Sequence, residues 1–242
     1  MKRVGFGFIV ISFFLALSER GAADVIVPGT ADPFLAGMPN GTTDVSDYAP
    51  AESPVLVTGV PIVAGAKLLF SATGSASADP SSVPFSGPDG ITGGFTNETS
   101  YNGIATVIAP WESLVGVFLD ANQPNLSTTP SSLDFGPGGN VAGGINYLTL
   151  APDLKQVFFI GDGLTDTAIQ QQVTIPIGAT RLYLGFLDSS GWYNNAGQFD
   201  VSVAETPEPA TLTLLASGLT AASACLFFRR RRGRAAESLS EC

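Results

Sequence analysis

Short apolar runs separated by turn-forming residues fill the middle of this 242-residue chain. In the segment 181–187, for example, Leu182, Leu184 and Phe186 lie at alternate positions, as in a strand with one buried face. Many short strands with glycine and proline turns, and no long helical period, predict an antiparallel all-β fold, a sandwich or a barrel, over residues 54–204. The predicted strands are Val55–Val63, Lys67–Ala72, Ala105–Ile108, Leu114–Leu119, Gln156–Ile160, Gln172–Ile175, Arg181–Leu187 and Gln198–Val203.

Two stretches break this pattern. Residues 24–53 are rich in glycine, proline, aspartate and alanine, which predicts an irregular N-terminal arm with at most one short strand. The segment Leu164–Gln172 is the one place where a short helix fits the middle of the chain.

The N-terminus has the three parts of a secretory signal peptide. Lys2 and Arg3 precede the apolar run Val4–Leu17, and Gly21-Ala22-Ala23 follows it. The run is too short to span a bilayer comfortably, and small residues stand where signal peptidase cuts. We therefore predict a signal peptide over residues 1–23, cleaved after Ala23.

The C-terminus has a second, longer apolar segment. Ala210–Phe228 is free of charged residues, and as a helix it would extend about 29 Å, close to the hydrocarbon thickness of a bilayer. Positive charge follows at once and is retained on the cytoplasmic side, which predicts a transmembrane helix with its N-terminus outside and residues 235–242 in the cytoplasm. The cluster comprises Arg229, Arg230, Arg231, Arg232 and Arg234.

The residues just before this helix carry a family resemblance. Pro207-Glu208-Pro209, the apolar helix and the arginine run, in that order, resemble the PEP-CTERM sorting signal over residues 205–234. The resemblance implies that an exosortase-type protease removes the membrane anchor of an exported protein, in a Gram-negative bacterium that makes an exopolysaccharide or biofilm matrix. The two prolines also keep this segment extended, which suits a protease cleft. The alternative is a plain proline-rich stalk before a permanent anchor.

Composition excludes several kinds of chemistry. The chain has no histidine, so catalytic triads and histidine-ligated zinc are absent, and its two cysteines, Cys225 and Cys242, build no disulfide framework. Residues 24–209 contain 18 acidic and 3 basic residues, a net charge of −15, which argues against nucleic-acid binding. The acidic residues supply no preferred pair for glycoside hydrolysis. We therefore expect a protein that is not an enzyme.

A second resemblance lies in residues 173–203, where a strand ends at Asp188 and the loop Ser189–Asn195 leads into a final strand. This stretch is similar to the galactose-binding-like jelly-roll β-sandwich, in particular to calcium-dependent galactose-specific bacterial lectins. The resemblance implies side-chain calcium ligands at Asp188, Asn194 and Asn195, and backbone carbonyl ligands at Trp192 and Ala78. These are the hard oxygen donors that calcium prefers.

The same resemblance implies a sugar-stacking platform at Trp192 or Tyr193. Three departures stand against it. The spacing from Asp188 to Asn194 is one residue shorter than in the lectins, their upstream sugar-contacting segment is not recognisable, and residues 120–160 carry an insertion. The alternative is an ordinary turn-rich loop in which both aromatic residues cover the edge of the sandwich.

These observations together predict an exported surface or matrix protein that binds extracellular polysaccharide, with calcium as its cofactor. A purely structural or adhesive matrix protein and a secreted carboxylate-dependent glycoside hydrolase are the alternatives.

Overall fold

The computed structural model describes residues 21–43, 54–91 and 93–206. Several predictions lie outside the described residues. They concern the leader up to residue 20, the sorting motif Pro207-Glu208-Pro209, the helix 210–228, its arginine cluster and the tail 235–242. Within the described residues, no helix has the length and apolar character needed to cross a membrane.

Twelve strands and four single-turn 3-10 helices make up the described secondary structure, which contains no α-helix. The 3-10 turns lie at Pro33–Leu35, Pro124–Leu126, Gly144–Asn146 and Trp192–Asn194. The strands are β1 (Ala22–Pro28), β2 (Val55–Leu56), β3 (Lys67–Ser77), β4 (Phe95–Glu98), β5 (Val107–Pro110), β6 (Leu114–Leu119), β7 (Leu133–Asp134), β8 (Thr149–Leu150), β9 (Val157–Phe159), β10 (Gln172–Thr174), β11 (Arg181–Phe186) and β12 (Ala196–Glu205).

The strands form three sheets, in which all but two of the neighbouring pairs are antiparallel. The largest sheet has the order β1-β12-β3-β10-β8, the second β2-β11-β6-β9, and the smallest β4-β5-β7. The parallel pairs are β10 with β8 and β5 with β7. At the centre of the largest sheet, β12 pairs with β3 from Ala196 opposite Ser77 to Glu205 opposite Leu68. The predicted all-β, predominantly antiparallel fold is confirmed.

The two larger sheets pack face to face, as in a sandwich. Phe199 of β12 contacts Phe186 of β11 with ring centroids 6.0 Å apart, and Phe70 of β3 lies 6.5 Å from Phe158 of β9. Alternation along β12 explains this arrangement, because its residues 199, 201 and 203 are buried while residues 198, 200 and 202 are exposed. All six residues of β6 are buried, as expected for a strand covered on both faces.

The N-terminal arm belongs to the sandwich. Strand β1 pairs along its whole length with β12, from Ala22 opposite Ala204 to Pro28 opposite Gln198. The following 3-10 turn buries Phe34 and Leu35 completely or nearly so. The predicted boundary at residue 54 is therefore wrong, since β1 belongs to the domain. The cleavage predicted after Ala23 would remove the first two residues of this strand.

The short helix predicted at 164–172 is also wrong. Local side-chain acceptors take the backbone N–H groups instead: Asp162 Oδ1 accepts from Leu164 at 2.7 Å, and Thr165 Oγ1 accepts from Ile169 at 3.1 Å. An antiparallel bridge joins Leu164 to Gln170. Aspartate and threonine compete in this way with helical hydrogen bonds, so the segment closes as a loop.

Candidate functional site

Four chain segments meet at one end of the sandwich. They are the residue after β3, the turn between β5 and β6, the loop between β11 and β12, and Gly29 after β1. Gly29 N–H donates to the Gly197 carbonyl at 3.0 Å, which fixes the end of β1 to the start of β12. The loop that contains Asp188 is therefore part of the packed sandwich end.

Asp188 follows β11 and is almost completely buried, with 2% of its surface exposed. Its Oδ1 accepts hydrogen bonds from Trp111 Nε1 at 2.9 Å and from its neighbour Ser189 N–H at 2.6 Å. Oδ2 is buried without a hydrogen-bond partner among the described residues. Burial raises the pKa of Asp188, although these hydrogen bonds and one from Asn195 oppose the change.

Glu112 is a second buried carboxylate at this end, with 0% of its surface exposed. Its Oε1 accepts the Ala78 N–H at 2.6 Å, whereas the other oxygen is buried without a partner among the described residues. Burial raises the pKa of Glu112; hydrogen bonding by the Ala78 N–H and the Ser86 side chain opposes the increase, and the nearby charge of Asp188 adds to it. Sequence reasoning missed this residue.

Ala78 and Asn194 lie together, as the lectin resemblance implies. The Asn194 amide is exposed and lies against the carbonyl oxygens of Ala78, at 3.3 Å, and of Gly191. In the orientation that satisfies its hydrogen bonds, the amide nitrogen donates to both carbonyls, so a bound cation would require the amide to turn its oxygen toward them. The structure thus brings Ala78, Asp188 and Asn194 to one end of the sandwich.

Asn195 positions its neighbours. It is buried, and its Nδ2 donates to the Gly29 carbonyl at 2.9 Å. Its backbone N–H donates to the Trp192 carbonyl at 3.1 Å, closing the 3-10 turn. Both predicted calcium ligands, Asn195 and the Trp192 carbonyl, therefore take part in hydrogen bonds within the loop.

The two candidate stacking residues have opposite environments. Trp192 is 1% exposed, its Nε1 donates to the Phe186 carbonyl at 2.7 Å, and its ring packs edge-on against Phe34 at 6.1 Å. The prediction of Trp192 as a sugar platform is wrong, because its ring is part of the core. Tyr193 is 64% exposed and is the aromatic residue that this loop presents to solvent.

The chemistry available here is that of hard oxygen donors. No group of three or more histidine, cysteine, aspartate or glutamate side chains within the described residues is arranged to hold a metal ion. The end of the sandwich instead combines two carboxylates with an amide and a backbone carbonyl, a donor set that fits Ca²⁺. Buried carboxylates of this kind are stable when they are paired or coordinate a metal.

Comparison with known proteins adds no assignment. No protein-family model matches the chain, and no curated protein matches it significantly.

Proposed function

We propose that the chain is an exported, non-enzymatic protein of the cell surface or extracellular matrix, whose β-sandwich binds calcium at Ala78, Asp188 and Asn194. The observation that carries this proposal is the buried, unpartnered Oδ2 of Asp188 in the loop that the lectin resemblance marks. An anionic oxygen away from water needs a partner, and a calcium ion supplies one.

Export and sorting rest on the two ends of the sequence. The fold is compatible with them, because Asp24, the first residue after the predicted cleavage, lies opposite Ser202 of β12, and Thr206 N–H donates to the Lys67 carbonyl at 2.8 Å. The predicted leader and the predicted sorting motif thus leave the domain side by side, with Pro207 next in sequence. The protein would first be anchored in the inner membrane. An exosortase-type protease would then cleave it at this end and release it to the surface or matrix.

The calcium site lies at the opposite end of the same strands. Gly29 and Gly197 mark that end, and β12 runs ten residues back to Glu205. At about 3.4 Å per residue, the separation is about 30 Å. A protein tethered through residues 206–210 would therefore present Asp188 and the exposed Tyr193 away from the membrane, where extracellular polysaccharide is the partner we propose.

The finer fold assignment, a galactose-binding-like jelly roll, is part of the proposal. It is supported by the two packed sheets and by the position of Asp188 between the last two strands.

Two measurements test the function. Calcium should raise the melting temperature of the metal-free protein, because a ligand that binds only the folded state stabilises it, and Asp188→Ala should abolish the increase. Co-sedimentation with polysaccharide should depend on Tyr193. Calcium binding without polysaccharide binding would leave the structural or adhesive matrix protein as the function. For sorting, mass spectrometry of the released protein should find no residues after the sorting motif.

One observation favours a second candidate, the carboxylate-dependent glycoside hydrolase. Asp89, Asp162 and Asp166 line a single cleft of about 460 Å³. Burial raises the pKa of Asp89, the charges of the two neighbouring carboxylates add to the increase, and a hydrogen bond from the Asp162 N–H opposes it. A carboxyl group with a raised pKa suits the general acid of such a reaction. Release of reducing ends from polysaccharide that Asp89→Asn abolishes would establish this activity, and no release would exclude it.

A further inference from the structure

Glu112 occupies a turn whose backbone is unusual for its residue type. Its φ is +66°, in the left-handed region that residues with a Cβ rarely adopt. The turn is held in place because Glu112 N–H donates to the Leu187 carbonyl at 2.8 Å and Ser113 N–H donates to the Pro110 carbonyl at 3.3 Å. These hydrogen bonds hold Glu112 in the left-handed backbone conformation, and backbone outliers of this kind concentrate at functional sites.

The unpartnered carboxylate oxygens of Glu112 and Asp188 indicate a ligand. Glu112 Oε2 and Asp188 Oδ2 are both buried, and neither has a hydrogen-bond partner among the described residues. Trp111, the neighbour of Glu112, donates to the other oxygen of Asp188, so one turn both positions Asp188 and places a second anion beside it. Two neighbouring buried anions repel each other, and a divalent cation between them removes the repulsion.

Resting on the calcium binding proposed above, we infer that Glu112 is a further calcium ligand that closes the site on its buried side. The bound ion is then a structural latch that joins three chain segments, and it is not a bridge to a sugar. The segments are the residue after β3, the β5–β6 turn, and the loop between β11 and β12.

The donor set of this chain is largely buried. Glu112 Oε2 and Asp188 Oδ2 have no hydrogen-bond partner among the described residues, and the Ala78 carbonyl and the Asn194 amide bring the number of candidate oxygens to four. Water can supply the remaining oxygens of the six to eight that calcium takes. Because both carboxylates are buried, the coordination that Glu112 adds lies on the side of the ion away from a sugar.

The segment after β3 is the part most dependent on the latch. It leaves the sheet at Ala78 and returns at Ser86, which bridges to Ala76. Glu112 holds its first residue through the Ala78 N–H, and Ser86 Oγ donates to the Glu112 carbonyl at 3.5 Å. Calcium should therefore order residues 79–86 as well as the loop containing Asp188.

The test compares variants of the metal-free full-length chain in detergent, with calcium affinity measured by calorimetry. Glu112→Gln keeps an oxygen for the Ala78 N–H and removes the charge, and we expect it to weaken calcium binding at least tenfold. Asp200→Asn is the matched control, because it removes one negative charge outside the three latched segments: Asp200 is exposed on β12 and accepts from Gln198 Nε2 at 3.4 Å. We expect no change in its affinity.

A second readout needs no variant. Calcium should slow amide hydrogen exchange over residues 79–86 of the unmodified chain, and excess galactose or polysaccharide should leave calcium affinity unchanged. Equal affinity in Glu112→Gln and the unmodified chain, exchange that calcium does not slow, or affinity that rises with sugar would overturn the latch while leaving calcium binding intact. Absence of calcium binding in the unmodified chain would instead refute the proposed function, and the latch with it.

Discussion

Phe34→Ala tests whether the N-terminal arm is part of the sandwich. Phe34 is 0% exposed and packs edge-on against Tyr101 at 6.0 Å and against Trp192 at 6.1 Å. Truncating a fully buried phenylalanine removes its transfer free energy and leaves a cavity, which together cost about 3–5 kcal/mol. We expect a loss of this size in the free energy of unfolding. Ile26→Ala on the same arm is the control, because Ile26 is 58% exposed and should cost less than about 1 kcal/mol.

Urea unfolding followed by tryptophan fluorescence measures both variants. Trp192 reports directly on the contact with Phe34, and the slope of the unfolding curve shows whether both variants unfold as one unit. A loss below about 1 kcal/mol for Phe34→Ala, equal to that of Ile26→Ala, would refute the conclusion that the arm contributes to the core.

Three further perturbations follow from single contacts. Burial raises the pKa of Asp89, so the folded protein loses stability as the pH rises through that pKa. The variant Asp89→Asn should lack this loss and be more stable at neutral pH by less than about 1 kcal/mol. Thermal melts in which both proteins show the same dependence of stability on pH would contradict this prediction. Lys155 Nζ donates to backbone carbonyls of the segment 124–128. Lys155→Met should therefore lower the free energy of unfolding in urea by about 2 kcal/mol. An unchanged midpoint of unfolding would contradict a stabilising role for these hydrogen bonds. Gly163 has a φ of +89°, and a Cβ at this position would clash with the Phe70 carbonyl, so Gly163→Ala should lower the free energy of unfolding by more than about 2 kcal/mol. Gly138 has a φ of +81° but faces open space, so Gly138→Ala should lower it by about 1 kcal/mol. Equal losses in the two variants would refute the steric argument.

The central strands were predictable because their chemistry is local. Each of the eight apolar runs identified in the sequence overlaps an observed strand, and in β12 the alternation of Phe199, Val201 and Val203 with polar residues marks the buried face. Strands β7 and β8 were missed because two residues carry no period. Strand β1 was anticipated only as a short strand of an irregular arm, because its apolar residues adjoin the leader and its pairing partner lies far away in the sequence.

The candidate site was predictable in part. The structure brings Ala78, Asp188 and Asn194, which the lectin resemblance implies as calcium ligands, to one end of the sandwich, and their role as ligands stays a prediction. Glu112 was not predicted as a site residue, because an acidic residue between two strands is typical of an exposed turn. Its burial follows from tertiary packing, as its contact with Ala78, 34 residues away in the sequence, shows. Trp192 was misjudged for a similar reason, since a turn-rich loop favours exposure and the packing against Phe34 is not visible in the sequence.

Tryptophan-sensitised terbium luminescence tests the calcium site most directly. Terbium takes the place of calcium at oxygen sites, and both tryptophans of the chain lie at this end: Trp111 donates to Asp188, and Trp192 lies in the loop that follows it. We predict strong sensitised emission from the metal-free protein, displaced by calcium and absent in Asp188→Ala. Emission that never develops, or that persists unchanged in Asp188→Ala, would show that these oxygens hold no ion.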